Sequence, residues 1–154
     1  MTIQSTLTNF LLIALFSNAL LAQYQELRQI GQLTFQNINQ YRQSLGLSRM
    51  AWSEKSYQLC LKHNAYQAGR NRISHDNFKS RASQLGGGAN ENVAATWGNS
   101  ISNPAEVALR FFTMWKNSPG HDKNLRARNN KSGAVAVSYN PSNRGAFATN
   151  INIG

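Results

Sequence analysis

From Glu26 to Leu45 apolar residues recur at helical spacing: Ile30, Leu33, Ile38, Tyr41 and Leu45, with polar residues between them and Gly46 just after. That pattern predicts an amphipathic helix with a glycine stop. Leu47 to Trp52 reads as a short link. Ser53 then predicts an N-cap, with Glu54 in the first turn, where the positive end of the helix dipole favours it. The helix that follows carries Tyr57, Cys60, Leu61, Ala65 and Ala68 on one side and is expected to end at Gly69. The stretch 71–90 shows no period and reads as irregular. Asn92 to Trp97 is short and apolar enough for a strand. Asn103, Pro104 and Glu106 mark the next helix start, as cap, first helical position and capping-box partner. Val107, Phe111, Met114 and Trp115 are its expected inner face, and Ser118-Pro119-Gly120 its stop. The period then changes. Ser132 to Tyr139 (SGAVAVSY) and Gly145 to Ile153 (GAFATNINI) alternate as strands do, and Asn140-Pro141-Ser142-Asn143 between them predicts a hairpin turn. The fold class that follows is α+β, with helices packed on a sheet.

The first 22 residues contain no charged side chain, and Phe10 to Ala22 reads FLLIALFSNALLA. This run is short for a membrane span. Small Ala22 before Gln23 suits a cleavage site, so residues 1–22 are expected to be a secretory signal peptide and 23–154 a single domain. The expected location is secreted and extracellular. All 16 basic and 6 acidic residues fall in that domain, which carries the net charge of +10. Such a charge favours anionic partners, an anionic membrane surface among them. The basic residues are scattered, with no aromatic-interleaved stripe, so no specific nucleic acid is expected. A single cysteine, Cys60, excludes an intrachain disulfide and reads as a buried structural thiol. One glycosylation sequon, Asn130-Lys131-Ser132, is expected on a surface loop. No pattern in the chain specifies an oligomeric state.

Three histidines are the candidate chemistry. His63 follows Lys62 opposite the apolar stripe of its helix and is expected at the surface. His75 (ISHDNF) and His121 (WKNSPGHDKNL) both stand where regular structure ends, which is where sites are built. Glu91 follows a triple glycine in GGGANENVAA. Two imidazoles and a carboxylate suit zinc. The same three groups suit general acid–base chemistry. Sequence spacing leaves both readings open.

Taken in order, NQYRQSLGLSRMAW, ISHDNFKSRA, GANENVAA, WKNSPGHDKNL and SGAVAVSY resemble the CAP superfamily: cysteine-rich secretory proteins, antigen 5 and plant pathogenesis-related 1 proteins. The likeness runs from about Phe35 to Ile153. It looks like the short, disulfide-free form found in bacteria and single-celled eukaryotes. The resemblance implies a three-layer α–β–α sandwich with a central antiparallel sheet. It also implies that His75 and His121 face one another across a cleft with Glu91 beside them, as metal ligands in the zinc reading. Many family members place a second acidic residue three positions after the tryptophan; here Ser118 follows Trp115 at that spacing. Asn92 is expected to hold the segment by hydrogen bonding, since its amide both donates and accepts.

The resemblance further implies a non-enzymatic binding protein, with a zinc or small-ligand cleft and a groove for a lipid or sterol. Trp97 and Ile101, in the loop from Trp97 to Asn103, are the expected groove residues. Two alternatives stand beside it. One is a protease-like hydrolase in which Ser74 or Ser118 is the nucleophile and His121 the base, although no G-x-S-x-G elbow is present. The other is an adhesive module with a vestigial site.

Overall fold

A computed structural model describes residues 3–98 and 101–154. Helix α1 spans Ile3–Ser44, so the segment read as a leader continues without a break into the amphipathic helix expected from Glu26. Among the described residues no helix is long and apolar enough to cross a membrane. There follow β1 (Ala51–Trp52), α2 (Glu54–Arg70), α3 (Phe78–Gln84), β2 (Ala89–Trp97), α4 (Pro104–Lys116), α5 (Pro119–Leu125), β3 (Ser132–Asn140) and β4 (Gly145–Ile153).

The sheet has the order β1-β3-β4-β2. Its three long strands are antiparallel, and β1 adds a two-residue parallel edge to β3. Alternation along β3 builds the two cores. Val135 and Val137 face α1 and α4, where Ile30, Phe35, Ile38, Val107, Phe111 and Trp115 are buried. Ala134 and Ala136 face α2, beside Tyr57, Leu59 and Cys60. The small alanines let α2 sit close, and Asn64 Nδ2 donates to the Ala136 carbonyl at 2.9 Å. The result is a three-layer α–β–α sandwich. Cys60 is fully buried, and that burial pushes its thiol pKa up.

Both expected caps form. Ser53 Oγ accepts from Ser56 N at 3.2 Å, and Asn103 Oδ1 accepts from Glu106 N at 3.3 Å. Several expectations need correction. Helix α2 passes through Gly69 and ends at Asn71, which takes the left-handed conformation at φ 51°; asparagine tolerates that region, so the glycine is not needed there. The stretch 71–90 contains α3. Met114 is 39% exposed. The inward stripe runs through Val107, Phe111 and Trp115, and Met114 lies about 100° off Trp115, on the rim. The Ser-Pro-Gly stop of α4 is also the start of α5. Asn130 is buried, with Nδ2 donating to the Asn124 carbonyl and Oδ1 accepting from Asn90 Nδ2. The sequon asparagine is therefore a structural residue and not a surface one.

Candidate histidine–glutamate site

Strand β2 sends successive side chains to opposite layers. Asn90 and Asn92 point toward α5, and Glu91 points toward α3. The Glu91 side chain is 1% exposed. Arg81 of α3 holds it with three contacts: Nε to Oε2 at 3.1 Å, and Nη2 to Oε1 and Oε2 at 2.8 and 2.7 Å. His75 Nδ1 lies 2.9 Å from Glu91 Oε1, and its ring is 53% exposed. A carboxylate oxygen only accepts, so this contact places a proton on Nδ1, and in the neutral ring the lone pair is then on Nε2. Glu91 was expected as a third metal ligand. Its oxygens are taken up by Arg81 and His75, and it stands behind His75. Among the described residues no three His, Cys, Asp or Glu side chains gather closely enough to hold a metal ion together.

The backbone around His75 is fixed on both sides. Gln67 Oε1 accepts from Ser74 N at 3.1 Å, and Arg81 Nη1 donates to the Asp76 carbonyl at 2.6 Å. His63, expected at the surface, is buried, with Nε2 2.7 Å from the Ser74 carbonyl. The helix turns it toward α3 because it follows Leu59 and Cys60 by four and three positions. Burial lowers its pKa.

His121 lies in the first turn of α5. Asn92 Nδ2 donates to its carbonyl at 3.3 Å, and Asn92 Oδ1 accepts from Asn124 Nδ2 at 2.9 Å. Asn124 Nδ2 also reaches the Glu91 carbonyl at 3.1 Å. Tyr41 Oη donates to Asp122 at 2.9 Å. The fully buried Arg42 donates to the carbonyls of Ser48, Leu125, Ala127 and Asn130. Helices α1 and α5 and strand β2 are thereby tied together under His121. The pKa of His121 is lowered, first by burial and then by the charge His75 can carry. His75 is tied to the Glu91 carboxylate, and the turn that carries His121 is tied to the Glu91 carbonyl and to Asn92, so both histidines hang on one short stretch of β2. Arg81, Arg42 and Asn124 carry no role in the sequence reading, and Tyr41 enters it only as an apolar position of the first helix. Arg81 carried no signal without α3 being recognised, and the partners of Arg42 are carbonyls up to 88 positions away.

The two serines offered as nucleophiles have local roles. Ser74 Oγ accepts from Asp76 N at 3.4 Å, and Ser118 precedes α5 as its N-cap residue. Among the described residues neither hydroxyl is hydrogen-bonded to a histidine. Ile101 lines an open groove of about 1040 Å³ together with Leu20, Ala22, Tyr139 and Arg144. Trp97 lies outside that groove, with Nε1 donating to Asn71 Oδ1 at 3.0 Å. Residues 99 and 100 of the expected groove loop fall outside the described residues.

No curated protein matches the chain. Among solved structures, it is similar to an extracellular SCP-domain protein of Bacillus anthracis, at 25% identity and a TM-score of 0.61 over 80% of this chain and 40% of that one. It is similar in fold to an outer surface protein of Borrelia burgdorferi (15% identity, TM-score 0.60, 77% of this chain and 88% of that one). A cysteine-rich secretory protein of Staphylococcus aureus is a third (13% identity, TM-score 0.58, 77% and 36%). The chain thus spans well under half of the first and third of these proteins. The model of the cysteine-rich secretory protein family matches residues 35–151. With that match over most of its length, the chain belongs to the cysteine-rich secretory protein, or CAP, family.

Proposed function

We propose that this is a secreted, non-enzymatic CAP domain in which His75 and His121 form a small binding site for a divalent metal such as zinc. The observation that carries this reading is the 2.9 Å contact between His75 Nδ1 and the buried Glu91. An imidazole whose Nδ1–H is held by a carboxylate presents Nε2 in a fixed direction, the usual arrangement behind a zinc-bound histidine. His121 adds a second imidazole that burial keeps neutral and able to donate a lone pair. The donor set therefore suits a borderline-soft cation. Two protein ligands are fewer than the three or four of dedicated zinc sites, so binding is expected to be weaker than in those. His75 and His121 would hold the ion, and Glu91 and Arg81 would orient His75. A bound ion there would supply Lewis acidity and an anchor for an anionic or carbonyl ligand.

Binding is favoured over hydrolysis by two facts. Both carboxylate oxygens of Glu91 are already engaged by Arg81 and His75. The second acidic position is Ser118. An anionic membrane surface remains the favoured large partner. The ion pairs join arginines to Glu54, Asp76, Glu91, Glu106 and Asp122. Among the described residues no lysine is paired with a carboxylate, which leaves the lysines for anionic lipid. The groove at Ile101 and Tyr139 supports a lipid or sterol ligand as a second reading. One of its walls comes from Leu20 and Ala22, so removal of residues 1–22 would open it further.

Native mass spectrometry with and without added zinc tests the first reading. One bound zinc is expected, lost in the His75→Ala/His121→Ala variant. Zinc retained by that variant, or no zinc in the wild type, refutes it. A co-purified lipid mass supports the groove.

A further inference from the structure

The C-terminal end of α2, the end of β2 and the β3–β4 hairpin meet at one asparagine. Asn71 Oδ1 accepts from Trp97 Nε1 at 3.0 Å and from Asn143 Nδ2 at 2.6 Å. Gly98 N donates to the Arg144 carbonyl at 3.1 Å, and Gly145 N donates to Asn143 Oδ1 at 2.9 Å. These bonds hold the segments 69–73, 96–98 and 140–145 together as one end of the sandwich. The three segments contain Arg70, Arg72 and Arg144 and no Asp or Glu. All three arginines are exposed. The neighbouring carboxylate, Asp76, is already engaged by Tyr66 Oη at 2.8 Å and by Arg72 at 3.5 Å.

Two large apolar side chains stand on the same end. Trp97 is 47% exposed and Ile73 43% exposed. The Trp97 ring meets Phe147 edge to face at 6.0 Å between centroids. With the Asn71 bond, that contact fixes the indole in place although half of it faces solvent. A single exposed apolar residue is ordinary. An indole and an isoleucine beside three guanidinium groups are the set that an anionic bilayer rewards. The cations meet lipid phosphates, the indole lies at headgroup depth, and the aliphatic chain reaches the acyl boundary. A soluble polyanion would use the arginines and leave Ile73 in water. Arg144 also lines the groove beside Ile101 and Tyr139, so this end and the groove share an edge.

We propose that this end of the domain is the face that docks on an anionic lipid bilayer, with Trp97 and Ile73 inserted and Arg70, Arg72 and Arg144 on the headgroups. It rests on the reading of an anionic membrane as the large partner, and it gives that partner a defined surface.

The test is flotation of the protein recovered from a secreting host with vesicles of equal parts phosphatidylcholine and phosphatidylserine. Vesicles of phosphatidylcholine alone are run beside them. Quenching of tryptophan by brominated lipid is the second readout. Trp115 is fully buried and Trp52 lies at the opposite end of the sheet, beside Gly133, so quenching reports Trp97. Binding to the anionic vesicles alone, with Trp97 quenched, is expected. Arg70→Gln/Arg72→Gln/Arg144→Gln should weaken it about a hundredfold, at about fivefold for each arginine. Ile73→Ser changes no charge and should weaken it about fivefold. Lys123→Gln/Arg128→Gln/Lys131→Gln removes the same charge around the start of β3, about 30 Å from the hairpin. That variant should lose about tenfold or less and keep full Trp97 quenching when bound. Equal losses in the two triple variants, or anionic binding without Trp97 quenching, would overturn the docking face and leave charge-driven adhesion through the whole surface. No binding to anionic vesicles, or equal binding to neutral ones, would overturn the face and the anionic-membrane reading together.

Discussion

Replacing Arg81 with Met removes every contact to the Glu91 carboxylate apart from the one to His75. The carboxylate side chain is 1% exposed and the guanidinium side chain 9%, so water cannot readily take the place of the three contacts at 2.7, 2.8 and 3.1 Å. Removing one partner of a buried pair leaves an uncompensated charge and costs about 3–5 kcal/mol. An exposed pair such as Arg72–Asp76 is screened by water and contributes far less. In a domain of this size about 1 kcal/mol corresponds to roughly 3 °C, so Arg81→Met should lower Tm by roughly 10–15 °C. Neutralising the orphaned partner should restore much of that loss. Arg81→Met/Glu91→Met is expected within about 2 kcal/mol of the wild type, well short of the sum of the single effects. Urea unfolding of the four proteins closes the cycle. A cost below about 1 kcal/mol for Arg81→Met, or strict additivity in the double variant, would refute the reading of Glu91 as a buried carboxylate held by Arg81.

Three further outcomes are expected. A Cβ at Gly31 would collide with the Val135 carbonyl oxygen where α1 crosses β3, so Gly31→Ala should cost about 1–3 kcal/mol by chemical denaturation. Arg42→Met should cost about 3 kcal/mol or more, since four carbonyls lose their donor. Arg42→Lys should recover little of that, because an ammonium cannot span the same fork. His63 has a lowered pKa when folded, with burial as the main cause. The unfolded chain therefore binds more protons near and below the ordinary histidine value, and stability is lost as pH falls below about 6.5. His121 acts with the same sign. His63→Gln, which can keep a donor to Ser74, should flatten this acid limb in urea midpoints measured across that range.

The elements legible in the sequence were those with local signals. Asn103, Pro104 and Glu106 announced α4, and the alternation of SGAVAVSY and GAFATNINI announced the β3–β4 hairpin. Elements without such signals were missed. Strand β1 has two residues, too few to alternate, and it exists because β3 accepts it and Asn39 clamps Met50 through both its carbonyl and its N–H. Helices α3 and α5 have seven residues each, so their hydrophobic period barely completes two turns. Within the site, the order of His75, Glu91 and His121 was readable. The task of Glu91 was not, because it is set by Arg81 on an unrecognised helix. His63 and Asn130 failed for a related reason. Both are polar residues whose burial depends on partners, the Ser74 carbonyl and Asn90 among them, that the fold brings in from elsewhere in the chain.

The central claim is that Glu91 fixes the His75 ring so that Nε2 faces outward as a lone pair beside His121. The ¹⁵N shifts of the two rings, recorded at a pH where both are neutral and then with added zinc, test it most directly. The account predicts His75 as the Nδ1–H tautomer before zinc, and joint zinc-dependent shifts of His75 Nε2 and one nitrogen of His121. A His75 that is protonated on Nε2, or rings that ignore zinc, would contradict it.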